Sequence, residues 1–275
     1  MPFDETLGVF YTDEGSGPPV VLVHGLGLGH GLWAEQAPLA SEFRLIAYDA
    51  RGCGASRVPP TGYDYPDLSQ ELLGLLDLLD IERAHLVGHS RGGGVIMETV
   101  LQNPERVASL VFIDSVLRGF SWSDEFTSSM RGSAQVARDR GPRAAFDEVW
   151  AEAGIFSWVK QRRPEVYERI LKLCESWSGA EWLDPTRYPK QEVSDADRLR
   201  EVSVPTFVLS GQEDLHDFIE IANMLAWWIP GAMQKSLMGV GHFPMLENPH
   251  ETNLYLRAFL RRVSGLSAGL GYSGL

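Results

Sequence analysis

Short apolar runs alternate with helix-like segments along most of the chain. Buried strands are expected near Val20–Val23, Leu45–Tyr48, Ala84–Val87, Val107–Ile113, Thr206–Leu209 and Gln234–Leu237, with Val9–Thr12 as an antiparallel edge. Leu68, Leu72, Leu75, Leu76 and Leu79 recur at helical spacing. Asp67 with Gln70 reads as the start of that helix. Arg91 to Gln102 is apolar on several sides, as a helix in the middle of a fold would be. Asn103-Pro104 ends it, because the residue before a proline is pushed out of the helical region. Strands and helices in alternation predict an α/β fold, a mostly parallel sheet flanked by helices.

The stretch from 116 to 200 breaks this rhythm. It is helix-like and charged, and it carries Trp122, Trp150, Trp158, Trp177 and Trp182. The expected organisation is a core from 1–115 and 201–263, an inserted helical piece at 116–200, and a flexible tail at 264–275 rich in Gly and Ser.

Gly88-His89-Ser90-Arg91-Gly92 lies where the strand Ala84–Val87 gives way to the helix. A Gly-x-Ser-x-Gly turn between a strand and a helix lifts a serine hydroxyl out of the sheet, and glycines relieve the crowding around it. A serine hydroxyl needs a base, and the base needs an orienting group. The candidates follow in the order Ser90, Asp214, His242: Asp214 just past the strand Thr206–Leu209, and His242 on a glycine-flanked loop. Glu213, Asp217 and Asp114 are rival acids, and His216 and His250 are rival bases. An oxyanion would be received by the backbone N–H groups of Leu26, in the glycine-rich loop after Val20–Val23, and of Arg91, which follows the nucleophile. His24 is expected to order the glycine loop, His89 to pack under the elbow, and Arg51 to anchor a loop.

These pieces together resemble the α/β-hydrolase fold family of esterases, enol-lactonases and C–C hydrolases. The matching residues are His24-Gly25-Leu26-Gly27 with Trp33, Asp49 through Ser56, Gly88–Gly92, Asp214 and Gly241-His242. The resemblance implies a serine hydrolase acting on a small to medium, largely apolar ester or lactone through an acyl-enzyme, with no cofactor. It also implies that 116–200 is a cap over the pocket, with Trp33, Trp122 and Phe243 as candidate lining residues. Alternatives on the same residues are C–C bond hydrolysis, perhydrolase chemistry, or a ligand receptor that hydrolyses slowly. Phe243 stands where the C–C hydrolases often carry Trp, and Ser90 where epoxide and haloalkane hydrolases carry Asp.

Composition narrows the field. The formal charge of −13 over 275 residues argues against a nucleic-acid partner and favours neutral over strongly anionic substrates; the small-molecule, ester-like substrate is what the resemblance implies. Gly25-Leu26-Gly27-Leu28-Gly29 fails the dinucleotide fingerprint, since neither starting glycine finds its third. No metal motif is present. The two cysteines, Cys53 and Cys174, give no disulfide framework. No apolar run is long enough for a bilayer, and the amino terminus lacks signal-peptide character, so the expectation is a cytoplasmic protein without a membrane partner. The oligomeric state is not legible.

Overall fold

The computed structural model describes residues 3–184 and 194–266. Most of the expected tail, 267–275, lies outside the described residues. Among those described, eight strands form one sheet: β1 (Phe3–Asp4), β2 (Val9–Glu14), β3 (Pro19–Val23), β4 (Arg44–Asp49), β5 (Ala84–His89), β6 (Val107–Ile113), β7 (Thr206–Gly211) and β8 (Met233–Leu237). Their order is β1-β2-β4-β3-β5-β6-β7-β8. The β1–β2 and β2–β4 pairs are antiparallel and the remainder parallel.

The central strands are apolar on both faces because helices cover both. Alternate residues of β3 show the division. Val21 and Val23 belong to one apolar cluster, with Leu72 and Leu76 of α1 (Tyr65–Leu78) and Val95 and Ile96 of α2 (Arg91–Gln102). Val20 and Leu22 belong to the other. The helix α1 begins earlier than the Asp67 start read from the sequence. Asp64 caps it, accepting from the N–H of Asp67 at 3.0 Å, and Pro66 lies in the first turn, where a missing N–H costs nothing. The leucine stripe starts only at Leu68, so it carries no mark of that turn.

Between β6 and β7 the described residues form five α-helices: α3 (Asp124–Arg140), α4 (Pro142–Glu148), α5 (Ser157–Arg162), α6 (Pro164–Leu173) and α7 (Ala180–Leu183). Their buried side chains, Phe146, Trp150 and Trp182 among them, join the same apolar cluster as Val20 and Leu22. Both ends of the segment are pinned. Ser123 donates its N–H and hydroxyl to Asp217 on α8 (His216–Trp228), at 3.0 and 2.6 Å. Arg118 bridges Glu98 of α2 and Asp195. The chain closes with α9 (Pro244–Glu247) and α10 (Pro249–Val263).

Candidate active site

Ser90 caps the start of α2 with φ +51° and ψ −118°, a conformation that costs a non-glycine residue about 1–3 kcal/mol. The flanking glycines make it possible. A Cβ on Gly88 would lie 2.5 Å from the Gly92 carbonyl oxygen, and one on Gly92 would lie 2.2 Å from that of Val23. Hydrogen bonds fix the turn on both sides: the Ser90 N–H donates to Ile113 O at 3.0 Å, and its carbonyl accepts from Gly93 and Val116. The first N–H groups of a helix have no intrahelical acceptor, which leaves that of Arg91 open. Leu26 N–H makes no hydrogen bond among the described residues.

Asp214 and His242 meet. The imidazole Nδ1 lies 2.6 Å from Asp214 Oδ2, and both side chains are buried. The carboxylate therefore holds the proton on Nδ1, and Nε2 keeps a lone pair. Nε2 is buried without a hydrogen-bond partner and borders the same small cavity as Ser90. Burial holds the imidazole neutral, lowering it to about 3, and pushes Asp214 above the ordinary carboxylate range.

Two further acids support this pair. Asp114, at the end of β6 with φ +40°, accepts from Gly211 N–H at 3.0 Å and is in hydrogen-bond contact with Asp214. Burial and the neighbouring carboxylate push Asp114 above the ordinary carboxylate range. Glu247 holds the loop that carries His242. Its two oxygens accept from Gly241 and Phe243 N–H, each at 3.0 Å. Nothing in the sequence marks Glu247, an acid five residues past the histidine in a one-turn helix. The rivals sit elsewhere: Glu213 and His216 are exposed, Asp217 is occupied by Ser123, and His250 is exposed at the start of α10.

The other histidines order loops. His24 Nε2 accepts from Ala50 N–H at 2.9 Å, so Nδ1 carries the proton given to Gly25 O at 2.7 Å. His89 Nε2 donates to the main-chain carbonyl of His242 at 2.8 Å. Arg51 ties its loop to Glu71 and to the Gly62 carbonyl.

The cavity at Ser90 is about 10 Å³, no more than a single water. Leu26, Leu28 and Phe243 line it from the core side. Trp150, Ile155, Phe156 and Cys174 line it from the inserted segment. Among the described residues no Asp, Glu, Lys or Arg side chain borders it. Of the expected lining residues only Phe243 is there. Trp33 is packed in the core, and Trp122 stacks on Phe126 at 4.2 Å with its edge toward Phe218. Both were read from position along the chain, whereas side-chain direction decides lining. Among the described residues no cluster of His, Cys, Asp and Glu is arranged to hold a metal ion.

Comparison with known proteins follows this geometry. A family profile described as the alpha/beta hydrolase fold matches residues 18–135. The chain is 30% identical over 259 residues to a Pantoea ananatis protein named "Putative carbamate hydrolase RutD", covering 91% of this chain and 90% of that one. Its fold superposes on a thermophilic esterase from Thermogutta terrifontis with TM-score 0.81 at 29% identity, covering 93% and 94% of the two chains. An enol-lactonase from Burkholderia xenovorans gives TM-score 0.78 at 25% identity, over 92% and 96%.

Proposed function

The chain belongs to the α/β-hydrolase fold family and is a hydrolase, and from that premise we propose that it is a serine hydrolase of small, uncharged esters or lactones. The observation that carries the reading is Asp214 held 2.6 Å from His242 Nδ1, with the other ring nitrogen unpartnered beside Ser90.

The steps follow from the geometry. His242 Nε2 takes the Ser90 proton as Oγ attacks the acyl carbon, a transfer worth roughly 10²–10⁴-fold. Asp214 stabilises the imidazolium that forms. The N–H groups of Leu26 and Arg91 receive the oxyanion, each worth about 10²–10³ in rate. Collapse expels the alcohol, which takes the proton back from His242, and leaves an acyl group on Ser90. Water, deprotonated by the same imidazole, releases the acid.

The apolar lining supports a neutral acyl group. Arg91 offers no charge to an anionic substrate, because its guanidinium is paired with Glu181. The helices from 124 to 183 act in this reading as a cap. The test is turnover of p-nitrophenyl acetate, an enol-lactone and a neutral carbamate by the wild type and by Ser90→Ala. The substitution lowers turnover at least about 10³-fold while the far-ultraviolet dichroism is unchanged. Undiminished turnover by purified Ser90→Ala refutes the reading.

A further inference from the structure

Ser90 is 8% exposed and His242 1%, and the space beside them is too small for any ester. Substrate reaches Ser90 only if the helices over it move. The ends of that segment are pinned by Ser123–Asp217 and Arg118–Asp195, so what holds it down lies between them.

Arg169 pairs with Glu35 at 2.6 Å and Phe156 stacks on Phe243, and the stretch Cys174 to Asp184 makes a further, denser set of attachments. Ser178 N–H donates to Gly52 O at 2.9 Å, and Asp184 accepts from Gly62 N–H at 3.1 Å. The Trp177 ring lies against Gly27, where a Cβ would come within 2.8 Å of it. Gly27 adjoins Leu26, one of the two oxyanion donors proposed above. Glu181 of α7 pairs with the guanidinium of Arg91, the residue that supplies the other. This ion pair is the most buried link of the set, with side-chain exposures of 9% and 1%. Trp182, next to Glu181, packs edge-on against Trp150, which lines the cavity. Cys174, at the start of the stretch, lines it directly.

A buried ion pair brings little net stability against a well-packed apolar pair, yet breaking it from one side strands a charge. It therefore favours two arrangements, fully closed or open with both charges in water, over intermediate ones. We infer that Arg91 and Glu181 form a clasp that holds the cap shut on the nucleophile elbow, and that this clasp sets the largest acyl group the site admits. The size filter rests on the serine-hydrolase reading; the clasp itself does not. Both side chains are positioning groups, acting through the cap and not on the substrate; of Arg91 only the main-chain N–H faces the oxyanion.

The test compares wild type, Glu181→Gln, and the double variant Arg91→Met/Glu181→Met, which keeps the packing without either charge. Hydrogen–deuterium exchange over peptides spanning Cys174–Asp184 rises at least tenfold in Glu181→Gln, which strands the Arg91 charge, and stays near wild type in the double variant, while β5 and β6 stay protected in both. The ratio of kcat/KM for p-nitrophenyl octanoate to that for the acetate also rises at least tenfold in Glu181→Gln. A purely structural role would lower both esters together and leave the ratio alone. Unchanged exchange in folded Glu181→Gln overturns the clasp. Raised exchange with an unchanged ratio overturns the size filter. A wild type without ester turnover sinks the hydrolase reading, and the exchange comparison still decides the clasp.

Discussion

At the scale of single residues, the site is a division of labour between acids. Asp214 and Asp114 are both buried at strand ends, and both could be drawn from the sequence as the orienting group. Only Asp214 touches the imidazole; Asp114 accepts from the Gly211 N–H. Asp214→Asn therefore lowers kcat by about 10²–10⁴-fold, because the amide no longer fixes the tautomer or stabilises the imidazolium. Asp114→Asn leaves the Asp214–His242 contact in place and costs less than about tenfold. Steady-state kinetics of the two variants separates the roles, and equal losses would contradict the assignment. The pH profile follows from burial. His242 must be neutral to accept a proton, and activity is lost as pH falls through its folded value. Burial moves that value down from 6.5, so the acid limb of kcat/KM has its midpoint below pH 6.5. A midpoint above 6.5 would mean that the Asp214 contact outweighs burial.

At the scale of elements, the strand–turn–helix from β5 to α2 is the part that tolerates least change. Gly92→Ala puts a methyl 2.2 Å from a main-chain oxygen of β3, which cannot rotate away. The expected loss is about 1–3 kcal/mol in urea unfolding, with a matching fall in Ser90 reactivity; an unshifted midpoint would contradict the crowding argument. This element was legible in the sequence because local chemistry alone dictates it: a β-branched, apolar run, then glycines at fixed spacing. The same holds for β3, β6 and β7; the pairing of Asp214 with His242 was an expectation carried by the family resemblance, with Glu213, Asp217 and Asp114 left as rivals. The start of α1 was placed too late, because a cap depends on which acid faces the open N–H groups and Asp64 and Asp67 both qualify by type. The lining was legible only at Phe243, next to the histidine on a short loop. Trp150, Ile155, Phe156 and Cys174 reach the cavity through the folding of five helices on one another, and no local pattern encodes that. Glu247 and the Arg91–Glu181 pair are hidden for the same reason, being contacts between segments far apart or held by a single turn.

At the scale of the whole molecule, a closed site is enclosed by a sheet on one side and by an insertion on the other. No described helix is long and apolar enough to cross a membrane. The net charge of −13 repels anions at long range, in keeping with a cavity that presents them no cation. Expelling water from such a space strengthens every dipole aimed at the developing oxyanion. All of this depends on a covalent intermediate at one residue. The most direct measurement is mass spectrometry of protein quenched in acid during turnover of p-nitrophenyl butyrate, followed by peptide mapping. The account predicts one butyryl group per chain, on Ser90, absent from Ser90→Ala and much reduced in His242→Ala. Turnover without an adduct, or an adduct on Cys174 in place of Ser90, would contradict it.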